Sequence, residues 1–349
     1  MRLAELTTLR VGGEAHSVVE AASSNELEQH VRDAWANGDR WLLVGGGSNL
    51  LVSDDGFDGT VIRALNRGIE RLPISTTNVE KDVVVLRIQA GEPWDAVVAF
   101  AVANSLSGVE ALSGIPGSAG AAPIQNIGAY GQELADTLAS IEFLDFQTGE
   151  RINISADELE LGYRTSAMKR GRLGVVLSID LRLEHSELSQ PVAYDQLASL
   201  LGVPARERAP LSQVRNAVLS LRKSKGMVLS DDDPDSVSAG SFFTNPIVNE
   251  NFARGLPMDA PRWILDPDAP ESQVKLSAAW LIEHAGIRRG FSLPGSAAAI
   301  STKHTLALVN TGGATAEQIA ELARYVHLRV LSEFGVKLQP EPQLIGIDL

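Results

Sequence analysis

The 349-residue chain contains no cysteine. Disulfides, thiolate catalysis and cysteine-ligated zinc are thereby excluded. It has no apolar run long enough to cross a bilayer, and its opening, Met1-Arg2-Leu3-Ala4-Glu5, lacks the apolar core of a secretory signal. The expectation is a soluble cytoplasmic protein with no membrane insertion. Positive charge is scarce too: 30 Lys and Arg stand against 44 Asp and Glu, a net charge of -14. That balance argues against a nucleic-acid partner, while a few local cations still suffice for a small anionic substrate. The histidines His16, His30, His185, His284, His304 and His327 lack metal-ligand spacing, so no metal is expected. The run from Asp231 to Asp235 lacks the spacing of a calcium loop and reads as a solvated, mobile loop. No long heptad pattern demands a partner helix, which leaves a monomer as the expectation.

One further absence is local. Between Glu110 and Glu133 lie 22 residues without a charge, among them five glycines and two prolines. Gly114, Pro116, Gly117, Gly120 and Pro123 break any continuous helix, so the stretch cannot span a membrane. Leu112, Ile115, Ile124 and Ile127 would sit in water if it were a linker. What remains is backbone folded tightly against something large and uncharged at its face, with glycine where a side chain would collide. A bound cofactor fits that description.

What is present reads as alternating strand and helix. Ser23 and Glu26 open a capped helix whose Leu27, Val31, Ala34 and Trp35 share a face and which ends near Gly38. Trp41 to Val44 is a short buried strand running into Gly45-Gly46-Gly47-Ser48-Asn49, a strand-end turn whose N–H groups can cradle a phosphate. Leu50 stands where a dinucleotide fingerprint needs its third glycine, so a Rossmann site is not expected. Val83 to Ala90 reads as a strand and Trp94 to Asn104 as a helix with Pro93 at its start. Ile141 to Phe146 is another strand. Val175, Leu177, Ile179, Leu181 and Leu183 alternate as one face of the next. Residues 186 to 210 are polar and proline-containing. Helices are expected over Pro210 to Arg222, Leu276 to Ala285 and Thr315 to Phe334, the last with a Thr315/Gln318 capping box. The pattern is α+β with a mixed sheet, in a chain long enough for two or three domains.

Three shorter features stand out. Ser238 to Pro246 holds adjacent Phe242 and Phe243 between Gly240-Ser241 and Asn245-Pro246, which makes a turn anchored by apolar side chains. Tyr163-Arg164 precedes a strand in a locally basic context. Pro340 and Pro342 fix the backbone on either side of Glu341, a way to aim one carboxylate.

In this order the segments resemble one family. They are Val44-Gly-Gly-Gly-Ser-Asn-Leu-Leu51, Ile115-Pro-Gly-Ser-Ala-Gly-Ala-Ala-Pro-Ile-Gln-Asn-Ile-Gly-Ala-Tyr-Gly131, Gly162-Tyr-Arg164, Ala239-Gly-Ser-Phe-Phe243 with Asn245-Pro246, and Pro340-Glu341 before Ile345-Gly346. The family is UDP-N-acetylenolpyruvoylglucosamine reductase, in its form with a substrate-closing tyrosine. The resemblance implies an α+β fold with a two-part FAD-binding region of the vanillyl-alcohol-oxidase type, followed by an α+β substrate domain. It implies FAD subdomains over 1–66 (joined by the tail 336–349) and 67–228, then a UDP-sugar domain over 229–335.

It also implies an activity: NADPH reduces non-covalent FAD, which reduces the enolpyruvyl double bond of the UDP-sugar to a lactyl ether in peptidoglycan synthesis. By position, Arg164 and Glu341 resemble the pair that steadies the enolpyruvyl carboxylate, and Ser241 the proton donor. A glutamate in that place must itself carry a proton. Gly45, Gly46, Gly47, Ser48, Asn49, Leu50, Gly114, Ile115, Pro116, Gly117, Ser118, Gly120, Gln125 and Asn126 fall in the segments implied to seat the cofactor. Tyr163, Tyr194, Lys225 and Asn245 are implied substrate contacts. Thr244 departs from the lysine many relatives carry, and Pro342-Gln343 from a Val-Arg type pair. Two rivals remain at this point: an FAD oxidase on the same fold, and a UDP-sugar-binding scaffold without flavin.

Overall fold

The computed structural model describes residues 1–73, 82–265 and 272–349. The chain forms two compact units: a larger one, 15–47 with 58–228, and a smaller one, 1–14, 48–57 and 229–349. The boundary at 66/67 implied by the resemblance therefore lies inside the larger unit, while that at 228/229 lies between the two.

In the larger unit, helix α1 (Ser24–Asn37) starts where the Ser23 hydroxyl accepts the Glu26 N–H and stops at Gly38, φ +68°. The Glu26 carboxylate reaches back to the N–H of Ala22 at 2.8 Å. A three-stranded sheet places strand Phe57–Ala64 between Ala15–Ala21 and Trp41–Val44. A larger antiparallel sheet runs in the order Arg151–Ser155, Leu138–Asp145, Gly174–His185, Val83–Gln89, Ile69–Leu72, with Leu106–Ser107 also on the long strand. Helix α2 (Trp94–Ala103) covers it; α3 (Asp195–Leu201) and α4 (Leu211–Ser224) make a separate cluster. The sequence pattern did not foresee α3, a short helix within the polar 186–210 stretch.

The long strand departs from simple alternation. Phe143 faces Val176 and Glu142 faces Ser178, so Leu177 is an extra residue and the strand bulges. A one-residue insertion swaps faces. Val175 and Leu177 accordingly pack with α1, whereas Ile179, Leu181 and Leu183 pack with α2. The expected single face is thus two half-faces. The bulge also releases the Leu177 carbonyl, which accepts the N–H of Ala90 at 3.0 Å and the side-chain amide of buried Asn66 at 3.1 Å.

The smaller unit contains α5 (Glu250–Arg254), α6 (Ala278–His284) and α7 (Ala316–Phe334). Strand Ala307–Asn310 sits between Ser238–Ser241 and Ala298–Ile300, and Gln273–Leu276 between Ile247–Asn249 and Arg262–Ile264. Helix α7 has both halves of the Thr315/Gln318 capping box and buries Ile319, Leu322, Val326 and Val330. Helix α6 begins later than the sequence pattern suggests. The Ser277 hydroxyl accepts the Trp280 N–H, and Leu276 belongs to a strand, opposite Arg262. No helix among the described residues is long and apolar enough to cross a membrane.

Ile179 is fully buried between sheet and α2. Ile179→Ala should lower unfolding free energy by about 2–5 kcal/mol, read as a reduced urea midpoint at unchanged slope. A shift near zero would show that the strand does not organise this core.

Candidate functional site

The uncharged stretch is built around the first turn of α2. Gly117 accepts the Trp94 N–H at 3.0 Å, the Trp94 indole reaches the Leu112 carbonyl at 3.1 Å, and Gly114 donates to Asp95 at 2.6 Å. Ala119 and Gly120 donate to the carbonyls of Glu92 and Ala90, both at 2.8 Å. Leu112, Ala119 and Ala122 are buried, and Ile115 and Ile127 pack against the same core. The flanking carboxylates close the segment on itself. Buried Glu110 accepts from the Gln132 side chain at 3.0 Å and the N–H groups of Gly108 and Gln190, and Glu133 accepts from the Asn126 side chain at 2.8 Å.

Against this segment lies the turn after strand 41–44. A Cβ on Gly45 would stand 2.1 Å from the Ser118 hydroxyl, and one on Gly46 2.6 Å from the Gly117 Cα. The two turns meet backbone to backbone, which leaves peptide groups with no bulky or charged side chain in front of them. Such a cradle fits a phosphate-bearing cofactor.

Beside it sits a group of cations. Arg164 has a left-handed backbone, φ +52°, at the tip of a turn closed by Gly162 and Thr165. Its guanidinium donates to the carbonyls of Asn126 at 3.2 Å and Gly128 at 2.9 Å, and lies 5.7 Å from the Tyr163 ring. Asn126 and Tyr130 are left-handed as well, φ +46° and +51°. The Asn126 side chain is engaged by Glu133, Gly162 and the N–H of Ala135. Its amide is thereby a brace for the segment. Tyr130 meets Tyr194, the residue that precedes α3, edge to face at 5.3 Å, and Lys225 sits 5.7 Å from the Tyr130 ring.

Arg222 was not singled out by sequence, yet it joins this group at the end of α4. Burial pushes its guanidinium down from the usual range; Tyr130 and Asp95 favour its charge and Arg164 opposes it. Its Nε is buried without a hydrogen-bond partner among the described residues. Burial, and then Arg222, also lower the Lys225 ammonium. Asp95 braces the arrangement through a two-pronged bond to Arg215 of α4 at 2.7 and 2.8 Å. Burial raises the Asp95 carboxyl, but Arg215 and the Gly114 N–H together hold it below the usual carboxylate range. An anion placed among these cations would relieve their mutual repulsion.

The smaller unit holds the other two candidates. Phe242 and Phe243, 1% exposed each and 5.1 Å apart edge to face, anchor the strand that ends at Ser241. Glu341 donates its N–H to the Phe242 carbonyl at 2.8 Å, and Pro340 bridges to Phe243. Asn49 donates its amide to the Glu341 carbonyl at 3.2 Å, and strand Gln343–Ile345 runs parallel to Leu50–Val52. Asn49 and Leu50 therefore hold the backbone at Glu341. Asn245 accepts the Ala278 N–H at the start of α6 through its side-chain oxygen, 2.9 Å, which fixes the side chain against that helix end.

A family profile described as the FAD binding domain matches residues 15–155, and one described as the UDP-N-acetylenolpyruvoylglucosamine reductase C-terminal domain matches 233–345. The UDP-N-acetylenolpyruvoylglucosamine reductase of Leifsonia xyli is 55% identical over 99% of this chain and 98% of its own. That of Salinispora arenicola is 46% identical over 99% and 95%. The crystal structure of the Thermus caldophilus enzyme superposes with a TM-score of 0.63 at 27% identity, covering 99% of this chain and 97% of that one. The chain belongs to the UDP-N-acetylenolpyruvoylglucosamine reductase family. It is an FAD oxidoreductase with an α+β fold.

In this member of the reductase family, Gly45, Gly46, Gly47, Gly114, Ile115, Pro116, Gly117, Ser118, Gly120, Gln125, Asn126, Tyr163, Arg164, Tyr194 and Lys225 belong to the larger unit. Ser48, Asn49, Leu50, Ser241, Asn245 and Glu341 belong to the smaller. Arg222 lay within sight of the sequence, three residues before Lys225, but a place at the end of a helix gave no sign of an unpaired nitrogen. The Asp231–Asp235 run corrects the expectation of a merely solvated loop: Asp235 is buried and Asp233 accepts from Lys303 at 2.7 Å. A carboxylate beside hydroxyl and amide donors is worth more buried than in water.

Gly46→Ala should force the two turns apart, lower the melting temperature of the apoprotein and cut FAD retention through gel filtration at least tenfold in protein that circular dichroism shows to be folded. Unaltered flavin content would remove the backbone cradle from the cofactor site.

Proposed function

We propose that the chain catalyses NADPH-dependent reduction of UDP-N-acetylglucosamine enolpyruvate to UDP-N-acetylmuramate in peptidoglycan synthesis. The observation that carries this reading is the strained, carbonyl-anchored Arg164 in a cation cluster with Arg222 and Lys225, beside an uncharged backbone cradle. The cradle residues suit FAD, because the turn at Gly45 and Gly46 packs directly on the backbone at Gly117 and the side chain of Ser118, with no room for a side chain over its peptide groups. Bound there without a covalent tether, FAD supplies the hydride that it takes from NADPH.

The chain's own residues do the rest. Arg164 and Glu341 hold the enolpyruvyl carboxylate, and the guanidinium steadies the negative charge that grows as the alkene is reduced. The bonds to Asn126 and Gly128 fix its direction beforehand, so little reorganisation accompanies the reaction. Ser241 gives its hydroxyl proton to the carbon that bears the charge. A serine is a weak acid, but the acceptor is a strong base. Lys225 and Asn245 take the diphosphate, a pairing supported by the depressed ammonium, which an anion would relieve. Tyr194, half-exposed and leaning on Tyr130, closes over the uridine. Residues 1–66 with 336–349, and 67–228, would serve as the two parts of the flavin region, and 229–335 as the sugar-nucleotide part. A cytoplasmic monomer completes the reading.

Two measurements test it. Under anaerobic conditions, Ser241→Ala should be reduced by NADPH at the normal rate, while reoxidation by the enolpyruvyl substrate slows by roughly 10²–10⁴-fold. Equal losses in both half-reactions would remove the proton-donor role. Lys225→Met should raise KM at least tenfold with kcat nearly kept. Because its ammonium is lowered, the wild-type affinity should decline as pH rises, beginning below the ordinary lysine range. Lys225→Met should lack that decline, and a decline that persists would assign it elsewhere.

A further inference from the structure

The hairpin turn between strands Ala298–Ile300 and Ala307–Asn310 is held from several sides, and none of its side chains has a role in the chemistry above. Asp235, 8% exposed, accepts the Thr302 N–H at 2.7 Å and its hydroxyl at 2.6 Å. Asp233 accepts the Lys303 ammonium at 2.7 Å and the Asp235 N–H at 3.2 Å. Inside the turn, fully buried Ser301 accepts the N–H groups of Lys303 at 3.0 Å and His304 at 3.2 Å. The Thr305 hydroxyl donates to Glu283.

This clamp determines where His304 lies. Strand 307–310 pairs with strand 238–241, and Ala307 stands opposite Ser241. His304, three residues earlier, folds back over that pair, its carbonyl accepting the Ala307 N–H at 3.0 Å. Its Nε2 comes to 3.4 Å from the Ser241 Oγ, and both residues are half-buried, so imidazole and water can meet. The ring nitrogen is thus in reach of the serine hydroxyl, in a side chain that is only partly buried.

We propose that His304 is a positioning residue for Ser241, orienting its hydroxyl and relaying a solvent proton to it, with the Asp233–Asp235 loop as the clamp. The inference rests on the reading of Ser241 as proton donor. As the carbon–hydrogen bond forms, the serine O–H bond breaks. In the same event the oxygen takes the proton on Nε2 of the imidazolium, which spares the chain a free alkoxide. Neutral His304 then regains a proton from water. One solvent proton is consumed, and nothing is oxidised or reduced in the relay. Among the described residues, the charged groups on the elements that hold the turn include Lys303 paired with Asp233, Asp235, Glu283 with Arg289 at 3.6 Å, and Glu341, whose backbone adjoins Phe242.

The test uses the holoenzyme in anaerobic half-reactions across pH. His304→Ala should be reduced by NADPH within twofold of wild type but reoxidised by the enolpyruvyl substrate roughly tenfold or more slowly. Wild-type reoxidation should fall as pH rises through the histidine titration, and His304→Ala should show no such fall. His304→Gln keeps a hydrogen-bonding group without a titrating proton, so it should recover part of the rate while its profile stays flat. His304→Ala should add no further loss in a Ser241→Ala background, since the two act as one path. A wild-type pH profile in His304→Ala, or losses that multiply in the double variant, would overturn the relay. A slow Ser241→Ala with a normal His304→Ala sinks the histidine alone; a normal Ser241→Ala sinks the serine reading with it.

Discussion

Two turns meet backbone against backbone at Gly46 and Gly117, and no side chain larger than hydrogen fits between them. Several elements of the larger unit are bonded into the segment that makes that contact. The bulge at Leu177 frees a carbonyl for Ala90, Ala90 in turn accepts from Gly120, and the first turn of α2 takes Gly114 and Gly117. The contact is an unusual place to concentrate glycine entropy, since each glycine loses more freedom on folding than any other residue. What it achieves is a surface of peptide groups, rigid before any ligand arrives.

The charge distribution follows from this. A chain with a net charge of -14 keeps its anion-facing cations few and fixed: Arg164 on carbonyls, Lys225 over Tyr130, Arg222 buried at the end of α4. On the proposed reading, peptide dipoles serve the cofactor and full charges are left for the substrate. If substrate and cofactor both carry diphosphates, as proposed, that separation would let each site answer to a different kind of donor. The flanking glutamates, Glu110 and Glu133, contribute to the same economy of charge by closing the uncharged stretch through side-chain amides.

Much of this was readable from residues. Ser23, Thr315 and Gly335 mark helix ends by local chemistry that tertiary context left intact. The uncharged stretch announced a backbone surface, and the motif order carried the family. Features that depend on a partner far along the chain were not readable. The bulge at Leu177 exists only against Glu142 and Phe143, and it broke an apparently regular strand into two faces. Leu276 looked helical until a strand partner at Arg262 claimed it. The aspartate run looked solvated because nothing in it names Thr302 or Lys303, some 70 residues later. His304 and Arg222 carry no local signal at all: a lone histidine and a helix-end arginine acquire meaning from what the fold sets beside them.

The central claim is that peptide groups seat the flavin while side-chain cations seat the substrate. The most direct measurement is a pair of salt titrations on the purified enzyme, following FAD affinity and UDP-N-acetylglucosamine enolpyruvate affinity from about 0.01 to 1 M ionic strength, a range over which the Debye length falls from about 30 Å to 3 Å. Substrate binding should weaken at least tenfold, while FAD binding changes little. Loss of FAD in step with the substrate would contradict the division.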